Sequence, residues 1–175
     1  MLDDLIYEEK ISSLRTEVLF VALAVLCLAL LAWRVMARGF GVITVACLFF
    51  SIFFSFYALN YRVLVIHIST DGLHLKFGVF GWTVPWRTVE EAYADETSLW
   101  RIGGAGIHFS SINGRYRAML NFLEYPRVVV ALKEKRGPVR DVAFSTTRPD
   151  EIMRIITASV ARGRSLTNWR TGRPY

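Results

Sequence analysis

Hydrophobic residues dominate two neighbouring stretches near the start of the chain. The first covers residues 18–36 and contains one charge, Arg34, while the second covers residues 40–59 and contains none. Because an α-helix rises about 1.5 Å per residue, roughly 20 residues cross a hydrocarbon core of about 30 Å. The three residues between the stretches leave room only for a tight turn. The pattern therefore predicts a transmembrane helical hairpin.

After Tyr61 the long apolar runs give way to short stretches that are β-branched or alternate with polar residues. Asp71-Gly72, between the first two, is a dipeptide typical of a β-hairpin turn, and Pro85 limits the third to a sheet edge or a strand end. Seven such stretches cover residues 63–68, 73–77, 78–85, 90–95, 101–109, 127–133 and 139–145. Short strands joined by short turns predict a small seven-stranded β-barrel or sandwich.

A helical period returns near the C-terminus. Thr147 and Asp150 have the spacing of a capping box, and Gly163 is expected to end the helix. Between them an apolar stripe has helical spacing: Ile152, Ile155, Ile156 and Val160. The prediction is an α+β chain with a tail (1–16), a transmembrane hairpin (17–59), a β-domain capped by this helix (60–163) and a basic disordered tail (164–175).

Charge differs on the two sides of the hairpin. From residue 60 onward there are 17 Lys and Arg against 10 Asp and Glu, whereas the first 17 residues carry five acids and two basic residues. The turn carries Arg34 and Arg38, and the opposite flanks carry Lys10, Arg15, Arg62 and Lys76. Since positive flanks favour the cytoplasm, we predict a multi-pass membrane protein with both termini cytoplasmic. The long acidic N-terminus argues against the alternative, a cleaved signal peptide.

Four motifs follow one another along the chain. Residues 78–86 place glycines around a strand that ends in a proline and a short turn, and residues 101–107 contain the sequence GG-x-GI. Residues 143–151 join a strand to Ser/Thr, Pro and an acidic helix start, and residues 7–9 read Tyr-Glu-Glu. Together they resemble the bacterial pleckstrin-homology-like (PH-like) domain of small prokaryotic membrane proteins with two N-terminal transmembrane helices. The resemblance implies a PH-like β-domain and a role in binding, scaffolding or assembly.

Side chains suited to catalysis or metal binding are sparse. Both cysteines, Cys27 and Cys47, lie in the apolar stretches, and no cysteine or carboxylate cluster gives the three histidines the spacing of a metal site. No serine lies in a nucleophile motif, and residues 103–106 lack the remainder of a phosphate-binding motif. The basic charge has no recognition helix or aromatic platform for nucleic acid. We predict no enzymatic activity, no metal or other cofactor, and no nucleic-acid partner.

Basic side chains provide a candidate anion-binding surface. Specific phosphoinositide binding is not expected from the first β-hairpin, residues 67–76. Its only basic side chain apart from histidines is Lys76, and Asp71 at its tip would repel phosphate. Attraction to an anionic leaflet needs no such motif and contributes about 1 kcal/mol per basic residue. The candidate lipid- or anion-binding residues are Lys76, Arg115, Arg117, Lys133, Lys135, Arg136 and Arg140. The alternative is a solvated surface without a ligand.

A second candidate surface is apolar. Residues 116–126 follow neither a clean alternation nor a helical period, so two interpretations stay open. One is a strand with a partly exposed apolar face, and the other is a loop inserted toward the membrane or a partner. Because exposed apolar patches mark interaction sites, the candidate protein-interaction residues are Met119, Leu120, Phe122, Leu123 and Tyr125.

These patterns together predict a membrane-anchored, non-enzymatic binding or scaffolding module. Its partner would be a protein, either a second copy of the chain or a larger membrane complex to which it is an accessory subunit. The alternative function is a sensor of anionic lipid headgroups that uses the basic face.

Overall fold

The computed structural model describes residues 5–171, apart from the side chains of Arg38 and of residues 163–171. Its strands are β1 (Leu5–Ser12), β2 (Val63–Ser69), β3 (Gly72–Phe77), β4 (Phe80–Pro85), β5 (Val89–Ala94), β6 (Gly106–Ile112), β7 (Arg115–Asn121), β8 (Arg127–Arg136) and β9 (Val139–Ser145). Its helices are α1 (Leu14–Arg38), α2 (Val42–Asn60), α3 (Leu99–Ile102) and α4 (Pro149–Thr171), with a 3₁₀ turn at Trp86–Thr88. The outermost parts of both predicted tails, residues 1–4 and 172–175, lie outside the described residues.

Helices α1 and α2 are the two apolar stretches of the predicted hairpin. Ser13 caps the start of α1, where its Oγ accepts a hydrogen bond from the Thr16 amide at 3.1 Å. Gly39 follows the last residue of α1 and has a φ of 70°, which suits glycine. Of 18 consecutive, largely apolar residues in each helix, only 11% are buried. Both helices are long and apolar enough to cross a membrane, as predicted.

Residues before the hairpin form a strand, which the sequence analysis placed in a tail. β1 pairs antiparallel with β2 over a register from Leu5↔Ser69 to Ser12↔Val63. The helical hairpin is therefore inserted between two neighbouring strands of one sheet. It leaves the end of β1 and returns at the adjacent start of β2, because Ser12 pairs with Val63. We call this end of the β-domain the hairpin end, and the opposite end of the strands the far end.

The nine described strands form two sheets. The first has the order β1-β2-β3-β4, and the second has the order β5-β8-β9-β7-β6 with β7 parallel to β9. β2 and β3 form the predicted β-hairpin, with its turn at Asp71-Gly72. Of the two interpretations of residues 116–126, the strand is the one observed, since β7 covers Arg115–Asn121. The α+β class is confirmed. A closed seven-stranded barrel is not what residues 5–171 form, because β1 and β7 add strands and both sheets keep open edges.

Both sheets and α4 share one hydrophobic core. Phe77 of the first sheet packs against Phe122 at the end of β7, with 5.0 Å between the ring centroids. Ile152 and Ile156 of α4 are fully buried in the same core, which confirms the predicted apolar stripe. The helix continues beyond Gly163, where the sequence predicted its end, to Thr171. The core therefore lies between the sheets, with α4 packed over it.

Polar contacts fix the first turns of α1 to the β-domain. The Leu123 amide donates to Thr16 Oγ1 at 3.3 Å, and Tyr125 Oη donates to the Ser12 carbonyl at 2.9 Å. Two ion pairs lie beside them, Arg15–Glu124 at 3.2 Å and Arg62–Glu17 at 2.7 Å. The hairpin is thus held by contacts on both of its connections to the β-domain.

Aromatic rings also connect the end of α2 with the core of the β-domain. Tyr61 lies between Tyr57 and Phe77, with centroid distances of 4.5 Å and 5.3 Å. Two glycines allow the close approach: a Cβ at Gly106 would lie 3.2 Å from the Tyr57 ring, and a Cβ at Gly78 would overlap the Asn60 carbonyl. Because packed aromatic contacts and backbone approach leave little slack, the hairpin and the β-domain form one packed unit.

Candidate functional site

The seven predicted anion-binding residues occupy three separate places. Lys76 lies on β3 near the hairpin end, where it pairs with Val65 and Gly81. Arg115 and Arg117 lie on β7 and belong to an ion network on the outer face of the second sheet. The remaining four lie around the turn between β8 and β9: Lys133, Lys135, Arg136 and Arg140. The structure does not bring all seven onto one face.

The β8–β9 turn lies at the far end, and a fifth basic residue joins it there. Lys133 Nζ donates to the Arg87 carbonyl at 3.2 Å, which places Arg87 beside the turn although the sequence analysis did not select it. We call these residues the far-end basic cluster: Arg87, Lys133, Lys135, Arg136 and Arg140. All five are exposed, and none forms an ion pair with another described residue. The cluster is therefore a surface with an excess of positive charge.

A groove of about 250 Å³ lies within the cluster, between β4 and the end of β8. Its floor is apolar and buried, and it contains Val84 and Leu132, which are 1% and 3% exposed. Its rim is charged, with Lys135 and Arg136 beside a single acid, Glu134. The remaining lining residues are Thr83, Pro85 and Thr88. This combination suits a ligand with negative charges around an apolar group.

Arg136 connects the groove to an open sheet edge. Its guanidinium lies 5.5 Å from the centroid of the Trp82 ring and donates to the Thr83 carbonyl. β4 is the last strand of the first sheet, as Pro85 predicted. An edge strand presents backbone groups that can pair with an added strand. The far-end basic cluster therefore surrounds a place where an extended segment could bind.

Arg115 and Arg117 point instead into a buried ion network. Arg117 donates to Asp95 at 3.1 Å and to Asp141 at 3.4 Å. Arg127 donates to Asp95 at 2.9 Å, and Arg115 donates to Asp141 at 2.8 Å. The side chains of Arg117 and of both aspartates are no more than 5% exposed. The prediction that Arg115 and Arg117 belong to an anion-binding surface is corrected, because aspartates already hold their guanidinium groups.

Electrostatics keep this network charged. Burial raises the pKa of Asp95, but hydrogen bonds from Thr97 and Arg127, together with the Arg117 charge, outweigh burial and bring the pKa below its usual value. A lowered carboxyl pKa stabilises the fold above the unfolded-state pKa, and this stability is lost as the pH falls through the lower folded value. Arg127 also donates to the Thr97 carbonyl. The network therefore orders the segment between β5 and α3 at neutral pH.

The predicted apolar interaction surface is also corrected. Met119, Leu120 and Phe122 are buried, because Leu120 and Phe122 face the core between the sheets and Met119 packs against Ile102 on the outer face. Leu123 and Tyr125 are half-buried, where Leu123 contacts Thr16 in the first turn of α1 and Tyr125 contacts Ser12 at the end of β1. Sequence alone could not separate this strand from an exposed one, since it is apolar on both faces.

A serine, an aspartate and a histidine meet at the β2–β3 turn. His74 Nε2 lies 3.1 Å from Ser69 Oγ, while its Nδ1 faces Thr83 Oγ1 at 3.2 Å. In a Ser-His-Asp triad the carboxylate contacts the second ring nitrogen, whereas here Asp71 contacts the serine. The arrangement is not a triad. In the part of the chain that the structure describes, no three His, Cys, Asp or Glu side chains are grouped to hold a metal ion.

The far-end groove is thus the site with the clearest binding chemistry. It combines an excess of positive charge, an apolar floor and an edge strand. A comparison of the chain with models of known protein families finds no match, and a comparison with curated proteins finds none either.

Proposed function

We propose that the protein is a membrane-anchored, non-enzymatic binding module that holds an acidic segment of a partner protein at its far-end basic cluster. The position of the cluster carries the proposal, because it surrounds a groove on an open edge strand at the end opposite the hairpin. The partner chemistry follows from charge: positive interface surfaces select and steer negative partners. The bound segment would be extended and acidic, with an apolar side chain over Val84 and Leu132.

In this proposal α1 and α2 anchor the β-domain to the cytoplasmic face of a membrane. Their length and hydropathy support the two crossings, and the four positive flanking residues support cytoplasmic termini. The β-domain would be PH-like. The order of the sequence motifs supports that assignment, as does a C-terminal helix packed over a core between two sheets.

Distance from the hairpin favours a protein partner over headgroups of the same membrane. At about 3.3 Å per residue, β4 extends about 16 Å from Phe80 at the hairpin end to Pro85 beside the cluster. The Debye length at physiological ionic strength is about 8 Å, so an anionic leaflet at the hairpin end attracts the far-end cluster weakly. Of the predicted basic residues, Lys76 lies nearest the hairpin end.

A binding measurement with a defined acidic peptide tests the proposal. The full-length protein is placed in phosphatidylcholine nanodiscs and titrated with a fluorescent Glu-rich peptide that contains one leucine. The double variant K135E/R140E should bind at least about tenfold more weakly, which corresponds to about 1.4 kcal/mol. The matched control R154E/R162E reverses two exposed charges on α4 and should bind like the wild type.

If both variants lost peptide affinity equally, the overall charge of the protein would explain the binding. The assignment of the binding site to the groove would then be wrong. Native mass spectrometry of the protein extracted from its own membrane separates the remaining alternatives. Anionic lipid that stays with the wild type but not with K135E/R140E would favour the lipid sensor. A co-purifying protein or a homo-oligomer is the expected result, and a lone monomer would count against a scaffold.

A further inference from the structure

Trp100 is the most exposed large apolar side chain among the described residues, at 98%. It lies on α3, whose other side is fixed: Ile102 is buried with Met119 and Val129 on the outer face of the second sheet. The Gly103 amide closes the helix by donating to the Leu99 carbonyl at 3.2 Å. The fold therefore holds Trp100 outward on an anchored support. Because tryptophan is highly buried on average, a tryptophan held outward in this way is unusual.

Trp100 lies at the hairpin end, next to the start of α1. It lines an apolar cleft of about 430 Å³ whose other wall includes Leu123. The Leu123 amide donates to Thr16 Oγ1 in the first turn of α1. Gly106, a few residues beyond α3, packs against Phe20 of α1 and Tyr57 of α2. The cleft is thus continuous with the apolar surface of the hairpin.

The first sheet has a matching apolar projection at the same end. The turn between β3 and β4 exposes Val79 at 66% and Phe80 at 52%. The Phe80 ring stacks on Tyr61 at 6.2 Å, and Gly78 approaches the Asn60 carbonyl at the end of α2. Each sheet therefore presents an exposed apolar group beside the helix ends.

We propose that these two projections, the β3–β4 turn and α3 with Trp100, insert into the interfacial region of the leaflet that α1 and α2 enter. The inference rests on the membrane anchoring proposed above. The occupant of the surface is phospholipid, because the surface continues that of the hairpin and lies where headgroups would surround the helix ends. Tryptophan favours this region, since its ring is apolar and its indole N–H can remain hydrated. Arg101, exposed next to Trp100, can extend its guanidinium to lipid phosphates.

Insertion would set the tilt of the β-domain on the membrane. The β3–β4 turn and α3 lie on different sides of the packed unit that the hairpin and the β-domain form. Two anchoring points there, together with the hairpin, define a plane, whereas the hairpin alone leaves the tilt of that whole unit in the bilayer unset. The far end is then directed away from the bilayer. The same contact with the leaflet buries the apolar side chains that are exposed at the hairpin end, which is favourable.

Spin labels on the full-length protein in phosphatidylcholine liposomes test this inference. Labels replace Val79 and Trp100, one at a time, in a C27A/C47A background, and collisions with oxygen and with a water-soluble nickel chelate are measured. The oxygen-to-nickel collision ratio should be higher at both sites than at Pro138, an exposed residue of the β8–β9 turn at the far end. A ratio at positions 79 and 100 as low as that at 138 would overturn the inference.

A label at Leu26, an exposed residue near the middle of α1, separates failure of this inference from failure of the anchor. A lipid-like ratio at 26 with water-like ratios at 79 and 100 leaves the anchor and rejects the inserted projections, whereas a water-like ratio at 26 rejects both. Low collision with both reagents at 79 or 100 would show a protein partner instead of lipid, again against the inference.

Tryptophan fluorescence checks the native side chain in parallel. In liposomes that contain brominated phosphatidylcholine, W100F should remove a component of the emission that bromine quenches. W82F, which changes the half-buried tryptophan beneath Arg136, should leave that quenched component in place. Equal quenching of the wild type and W100F would contradict insertion.

Discussion

Asp95 connects two otherwise separate arginines in the outer face of the second sheet. It accepts hydrogen bonds from Arg117 and Arg127, and Arg117 reaches Asp141 on its other side. Buried ion pairs contribute little net stability, but removing one partner leaves a buried charge without compensation. The role of Asp95 is therefore to fix conformation, because its hydrogen bonds hold the chain between β5 and α3 in place.

The variant D95N should be strongly destabilised, by about 3–5 kcal/mol, because it leaves two arginines facing a neutral amide. Thermal unfolding of the full-length protein in nanodiscs, followed by near-UV circular dichroism, measures the loss. The control E96Q changes the exposed neighbouring acid and should shift stability by no more than about 0.5 kcal/mol. If D95N unfolded at the same temperature as E96Q, the network would not depend on Asp95.

Among the elements, the β3–β4 turn has the closest approach to the hairpin. Gly78 has a φ of 62°, in the left-handed region that glycine adopts most easily, and its missing Cβ makes room for the Asn60 carbonyl. Gly137 in the β8–β9 turn has the same φ of 62° but open space around it. The two turns therefore separate the cost of backbone conformation from the cost of contact with α2.

G137A should cost only the left-handed strain of about 1–2 kcal/mol, whereas G78A should cost more, because the added methyl group also displaces the end of α2. Comparison of their unfolding temperatures in nanodiscs gives the difference directly. In G78A, protease cleavage after Arg62 should also become faster, since the contact between the β3–β4 turn and the end of α2 is weakened. Equal destabilisation by the two substitutions would show that the turn does not press on the helix.

At the level of elements, periodicity predicted what is local. The apolar runs predicted α1 and α2, and the stripe at Ile152 and Ile156 predicted α4, because burial on one helix face leaves a regular signal. β1 gave no such signal, since its alternation is weak and its partner lies beyond the hairpin. Nor did sequence show that Arg117 is buried, because arginine is exposed in most proteins and its aspartate partners come from distant strands. Part of the far-end basic cluster was predicted, since consecutive turn residues stay together in any fold.

For the whole molecule, the main consequence is that the β-domain is not confined to the residues after the hairpin. β1 supplies one of the four strands of the first sheet and covers one side of β2. Glu9 on β1 also accepts hydrogen bonds from Thr146 and from the Thr147 amide, at 2.7 Å and 2.8 Å, just before α4 begins. The N-terminal strand thus connects the first sheet with the C-terminal helix.

A soluble domain made only of residues 60–175 should therefore be unstable and prone to aggregate, because it exposes the edge of β2 and removes the Glu9 contacts. Joining residues 5–12 to residue 63 through a short Gly/Ser linker, in place of the hairpin, should restore a cooperative thermal transition. E9Q in the joined form should lower its unfolding temperature, since the hydrogen bonds to Glu9 lose their charge assistance. Equal transitions for the short and joined forms would show that β1 is dispensable.

The pairing of β1 with β2 also orders events during synthesis. The 50 residues between Ser12 and Val63 hold both apolar helices, so β1 leaves the ribosome long before its partner strand exists. Contacts between segments so far apart form late, because the intervening chain must first be brought to a closed loop. Packing of α1 against α2 brings the two ends of that loop together. The first sheet can therefore form only after β2 has been made and the packed helices have brought it beside β1.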